Sequence, residues 1–115
     1  MASAAKAKGT RWESDLVKHL ESYGIDARRV AQSGRLDVGD IHGIDPFVGQ
    51  AKSYRDIVAG LREGLEGARV QAARVSPDAI PVAFVKRPGK GTGAGYAVLD
   101  VDTFARLLLR LRAQE

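Results

Sequence analysis

Apolar residues recur along this chain with two different spacings, and the alternation between them predicts the elements. Leu16, Val17 and Leu20 follow a helical spacing behind Thr10, a capping residue type. A first helix is expected from about Arg11 to Tyr23, closed by Gly24. Glu13 precedes these apolar residues by three, four and seven positions, so it shares their face. A carboxylate there is costly unless partnered. It either reaches the rim of the core or points into an active site.

Three short strand-like runs follow: Ala27 to Gln32, Leu36 to His42 and Phe47 to Ser53. Ser33-Gly34 and Ile44-Asp45-Pro46 supply the turns. A second helix is expected from about Asp56 to Val75, with Ile57, Leu61, Leu65, Ala68 and Ala72 on one face. Gly60, Gly64 and Gly67 weaken it but permit close packing on a sheet. Ile80 to Lys86 reads as a strand, Arg87 to Gly95 as a loop and Tyr96 to Val101 as a last strand. Asp102 is expected to cap a final helix with Phe104, Leu107, Leu108 and Leu111 as its apolar face. The predicted order is αβββαββα, an α/β fold with a central sheet flanked by helices.

The chemistry concentrates in the second and third strands. Asp40 ends one apolar run, and Gln50-Ala51-Lys52 follows ten residues later. In paired strands these residues lie close, with Gln50 and Lys52 on one face and Ala51 on the other. A carboxylate, an amide oxygen and a lysine can together hold a divalent cation and an activated water. Asp37 is the second choice of acid, since a bulge at Gly39 would change its face. Asp45 precedes Pro46 and reads as a turn residue. His42 reads as a strand-end residue and His19 as a surface residue.

Charge supports a polyanionic partner. The 115 residues carry 18 Lys and Arg against 14 Asp and Glu, a net charge of +4. There are no cysteines, which removes disulfides, thiolate metal sites and thiol nucleophiles and fits a cytoplasmic setting. No apolar run is long enough to span a bilayer, so no membrane association is expected. Residues 1–9, rich in Ala and Lys, read as a flexible basic tail without a signal-peptide core, and 10–115 as a single domain. The Gly-rich run Arg87 to Gly95 is not a nucleotide-binding loop, because Phe84 stands where the loop glycine belongs and strands flank it. With Lys86, Arg87 and Lys90 it reads as a flexible basic hairpin, either touching a DNA backbone or simply solvated.

The Asp40 and Gln50-Ala51-Lys52 pattern, with Glu13 on the first helix, resembles the PD-(D/E)xK nuclease superfamily. The resemblance covers roughly Gly9 to Lys86 and implies a restriction-endonuclease-like αβββαβ core with a mixed sheet. Gln50 stands where the family usually has an acid, a Gln-x-Lys variant similar to that of Mrr-type restriction enzymes. The compact size, and Arg28 to Gly34 as a basic strand with a Ser-containing loop, resemble small phage and archaeal Holliday junction resolvases.

The resemblance implies a Mg²⁺-dependent endonuclease (Mn²⁺ also serving) that resolves four-way DNA junctions. Glu13, Asp40, Gln50 and the Ala51 carbonyl would hold the metal, and Lys52 would act on the attacking water. Arg29, Ser33, Arg35, Lys86, Arg87 and Lys90 would contact DNA. Two symmetric cuts imply a homodimer, for which the Leu-rich final helix is either the contact or ordinary core. A restriction-type or nicking endonuclease on duplex DNA, and a non-catalytic DNA-binding module on the same fold, are the alternatives.

Overall fold

The computed structural model describes residues 4–30 and 40–114. Among these residues it is an α/β fold in which a five-stranded mixed sheet is flanked by three helices. The elements are α1 (Ala4–Glu21), β1 (Arg28–Arg29), β2 (Ile41–His42), β3 (Phe47–Lys52), α2 (Ile57–Val75), β4 (Ile80–Val85), β5 (Tyr96–Val98) and α3 (Val101–Ala113). A single turn of 3₁₀ helix, Thr92–Ala94, sits between β4 and β5.

The strands lie in sequence order across the sheet. Pairing is antiparallel except between β3 and β4, which run parallel. That exception is dictated by α2, because a helix returning over the sheet brings the next strand back in the same direction.

α1 begins at Ala4, so residues 4–9 continue the helix where an irregular tail was expected. Ala4, Ala5, Lys6, Ala7 and Lys8 are all strong helix formers, and one glycine does not outweigh them. At the other end Gly24 takes φ +83° and donates its N–H to Glu21 O at 2.8 Å. The helix buries Trp12 and Leu16 against Ala27, Ile41 and Ala51. Trp12 is 1% exposed, and its indole N–H donates to Phe84 O at 3.0 Å.

α2 covers the opposite side of β3 and β4. Asp56 caps it, accepting from the N–H groups of Val58 and Ala59. Its buried face is Gly60, Gly64, Ala68, Gln71 and Ala72; Ala68 and Ala72 lie there as expected, while Ile57, Leu61 and Leu65 are half-buried, so the face is rotated toward the glycines. The glycines explain the rotation. A Cβ at Gly64 would lie 2.9 Å from Ala83 Cβ, closer than carbon atoms pack, so the helix backbone rests directly on the strand.

Two corrections concern the C-terminal end. β5 stops at Val98 rather than Val101, and Asp100, not Asp102, caps α3. Asp100 Oδ1 accepts from Thr103 N–H at 2.8 Å, the third helical residue. Thr103 hydrogen bonds, helped by the charges of Arg69 and Arg106, hold the Asp100 carboxyl below its usual range. A depressed folded pKa means the cap stabilises α3 fully above the unfolded value of 3.8 and loses that contribution as pH falls through the folded value. Asp100→Ala is expected to cost about 1 kcal/mol at neutral pH and to flatten the acid limb of a thermal-melting profile.

Candidate functional site

The strand pair β2–β3 parts just beyond Ile41, which is in register with Gly49. Asp40 stands at that fork, in a bend before β2 rather than inside a strand. Its backbone bridges both neighbours: Asp40 N–H donates to Gly49 O at 2.9 Å, and Asp40 O accepts from Val30 N–H at 3.1 Å. Its side chain crosses the fork, with Oδ2 accepting from Ala51 N–H at 2.7 Å. The carboxylate therefore lies against the β3 backbone midway between Gln50 and Lys52. Charge-assisted bonds of this length fix a carboxylate firmly.

Strand alternation sends Gln50 and Lys52 to the α2 side and buries Ala51 on the α1 side with Trp12. The glycine stripe of α2 makes room for both polar side chains. A Cβ at Gly67 would overlap Gln50 Oε1, and one at Gly64 would lie 3.3 Å from Lys52 Cγ. The Lys52 stem is thus packed between sheet and helix, while its ammonium nitrogen reaches 5.6 Å from the centre of the Tyr54 ring. Tyr54 in turn donates its hydroxyl hydrogen bond to Glu63 Oε1 of α2 at 3.2 Å.

Tyr54, Glu63 and the role of Gly67 were not legible as site features in the sequence. Tyr54 sits two residues past Lys52 on the same strand parity, which is the one signal that could have found it. Gln71, one turn beyond Gly67, is 4% exposed, and its side-chain oxygen has no hydrogen-bond partner among the described residues.

Glu13 approaches from α1, where its Oε1 accepts from Arg29 Nε of β1 at 3.3 Å. One expected metal ligand thus pairs with one expected DNA contact. Ser33, Arg35 and Asp37 lie outside the described residues. Asp45 is exposed in the turn before β3, and Phe47 N–H closes that turn onto Ile44 O at 2.9 Å. His42 is exposed at the end of β2. His19 is half-buried, edge-on to Tyr23 at 5.6 Å between ring centres, rather than a plain surface residue.

Several contacts tie the basic hairpin to itself. Arg87 lies over the Tyr96 ring, 5.0 Å from its centre, and donates to Ala94 O at 3.4 Å. Lys90 N–H donates to Arg87 O at 3.1 Å, and the 3₁₀ turn follows. Lys90 is left exposed at the tip, with Lys86 and Arg87 half-buried at the base.

Among the described residues no three His, Cys, Asp or Glu side chains converge as a metal-binding group. The fork holds one carboxylate, Asp40, while the Gln50 amide oxygen is turned toward α2, where a Cβ on Gly67 would overlap it. A single carboxylate suits only a hard cation that keeps most of its waters, as Mg²⁺ does. No described helix is long and apolar enough to cross a membrane. Compared with known proteins, the chain matches no protein-family model, no curated protein and no solved structure.

Proposed function

We propose that this chain is a Mg²⁺-dependent DNA endonuclease on a restriction-endonuclease-like core, with branched, four-way DNA as its preferred substrate. The observation that supports it most is the Asp40 carboxylate fixed on the Ala51 N–H, between Gln50 and Lys52. Asp40 in the bend before β2, with Gln50 and Lys52 in β3, supplies the residue types of the Asp…Gln-x-Lys pattern.

In this reading Asp40 holds the cation, with the Gln50 amide oxygen joining it on turning from α2 and Glu13 on release from Arg29. When bound, the cation supplies Lewis-acid polarisation of the scissile phosphate and a more acidic water. Lys52 is the group that orients this water and offsets charge growing on the phosphate. Its stem packs beneath Gly64 and its ammonium lies by the Tyr54 ring. Arg29, Arg87 and Lys90 supply backbone-phosphate contacts, which position DNA without reading sequence.

A second reading has an observation in its favour. Gln50 brings no charge, and Glu13 is engaged by Arg29. Asp40 also satisfies an N–H that β2 no longer pairs, which is a structural role. On these grounds the chain is a non-catalytic DNA-binding module.

One pair of substitutions separates the readings. Asn at position 40 can still accept from Ala51 N–H but carries no charge. Asp40→Asn is therefore expected to melt near the wild-type temperature and to lose Mg²⁺-dependent cleavage, while Asp45→Asn keeps it. The measurement uses labelled junction and duplex DNA with Mg²⁺, Mn²⁺ or EDTA. Absence of metal-dependent cleavage by the wild type, with DNA retained, would establish the binding module. Equal rates on both DNAs would replace the junction enzyme by a duplex one.

A further inference from the structure

The row of paired residues that carries Lys52 continues across the sheet to an exposed aromatic ring. Lys52 lies opposite Val85 of β4, and Val85 lies opposite Tyr96 of β5. Directly paired residues share a face and strands lie about 4.8 Å apart, so Tyr96 stands about 10 Å from Lys52 on the same face of the sheet. Val85 between them is fully buried, and a Cβ at Gly60 of α2 would lie 3.4 Å from its Cγ1. β5 ends the sheet among the described residues, and Tyr96 there is 44% exposed.

What meets this ring is cationic. The guanidinium carbon of Arg87 lies 5.0 Å from the ring centre, and the same group donates to Ala94 O at 3.4 Å. Its other N–H groups are left for a phosphate. Lys90 is exposed at the tip of the hairpin. Lys86 N–H donates to Lys52 O at 3.0 Å, which ties the base of the hairpin to the end of β3. Residues 86–96 contain three cations and no acid. Such a surface takes nucleic acid by its bases: a base stacks on the ring or on the guanidinium plane, and the cations take its phosphates. A base inside a duplex has both faces covered by its neighbours, so only an unpaired one can stack here.

We propose that Tyr96 and Arg87 form a stacking platform for an unpaired nucleotide, with Lys90 on the adjoining phosphate. The substrate class that follows is DNA with a single-stranded stretch beside its branch, held two strands away from Lys52. This rests on the DNA reading above and narrows it.

Fluorescence anisotropy in EDTA, where no metal-dependent cleavage intervenes, reads binding alone. A labelled oligonucleotide is compared single-stranded and annealed to its complement, and a branched DNA is compared with and without unpaired nucleotides at the branch. The forms with unpaired nucleotides are expected to bind more tightly. Tyr96→Ala is expected to weaken them about ten- to a hundred-fold, the equivalent of one lost stacked base, and to leave duplex affinity unchanged. Tyr96→Phe keeps the ring and is expected to bind as the wild type does. Arg87→Lys keeps the charge without the plane and is expected to lose single-strand affinity only. Tyr96→Leu gives the same readout as Tyr96→Ala should that variant fold poorly by circular dichroism.

Equal affinity for single and double strands, or single-strand binding by Tyr96→Ala at the wild-type level, would overturn the platform and leave the DNA reading in place. Absence of binding to every DNA would overturn both.

Discussion

Removing the Lys52 ammonium is expected to lower DNA cleavage by a factor of about a hundred to ten thousand while leaving junction affinity nearly unchanged. The variant must be chosen with the packing in mind. Lys52→Ala removes the charge and also the stem from Cγ outward, the atom that lies 3.3 Å from where a Cβ would stand on Gly64. Lys52→Met keeps that volume and deletes only the ammonium. Both variants should lose cleavage equally, and only Lys52→Ala should lower the melting temperature. Gel-shift titration beside single-turnover cleavage separates affinity from chemistry. If Lys52→Met cleaves at the wild-type rate, Lys52 has no part in the reaction, and its place beneath α2 is a packing role.

Trp12→Ala is expected to be the most destabilising single change in the chain. Trp12 is 1% exposed and central to the cluster of Leu16, Ala27, Ile41 and Ala51 that joins α1 to the sheet. Truncation leaves a cavity worth about 3–5 kcal/mol. It also leaves Phe84 O without the indole N–H that it accepts from. A domain of this size commonly holds about 5–15 kcal/mol in total, so most of the margin would go. Denaturant unfolding should show a large fall in midpoint with an unchanged slope. Trp12→Phe should recover much of the packing but not the hydrogen bond. A midpoint shift under about 1 kcal/mol for Trp12→Ala would mean that α1 is not held to the sheet through this residue.

The element order and the α2 boundaries were legible in the sequence because each depends on local periodicity. α2 shows the limit of that legibility. Its leucines mark one face, yet the helix buries its glycines, since only a backbone without Cβ atoms could lie close enough to β3 and β4 to cover Gln50 and Lys52. No pattern within the helix reveals what its partner strand carries. The same holds for Trp12, whose importance comes from a carbonyl 72 residues away.

α3 gives the converse case. Its spacing announced an apolar face, but spacing cannot say whether that face meets the protein's own core. The fold turned Thr103 inward and left Val101, Phe104 and Leu111 outside. Periodicity within an element, being a matter of 3.6 or two residues per repeat, was determined by the sequence alone. The rotation of each helix about its own axis, the escape of Glu13 to Arg29 and the anchoring of Asp40 on Ala51 N–H were decided only by tertiary structure. Those depend on contacts between residues far apart in the chain, where shape and hydrogen-bond demand on both sides must be met at once.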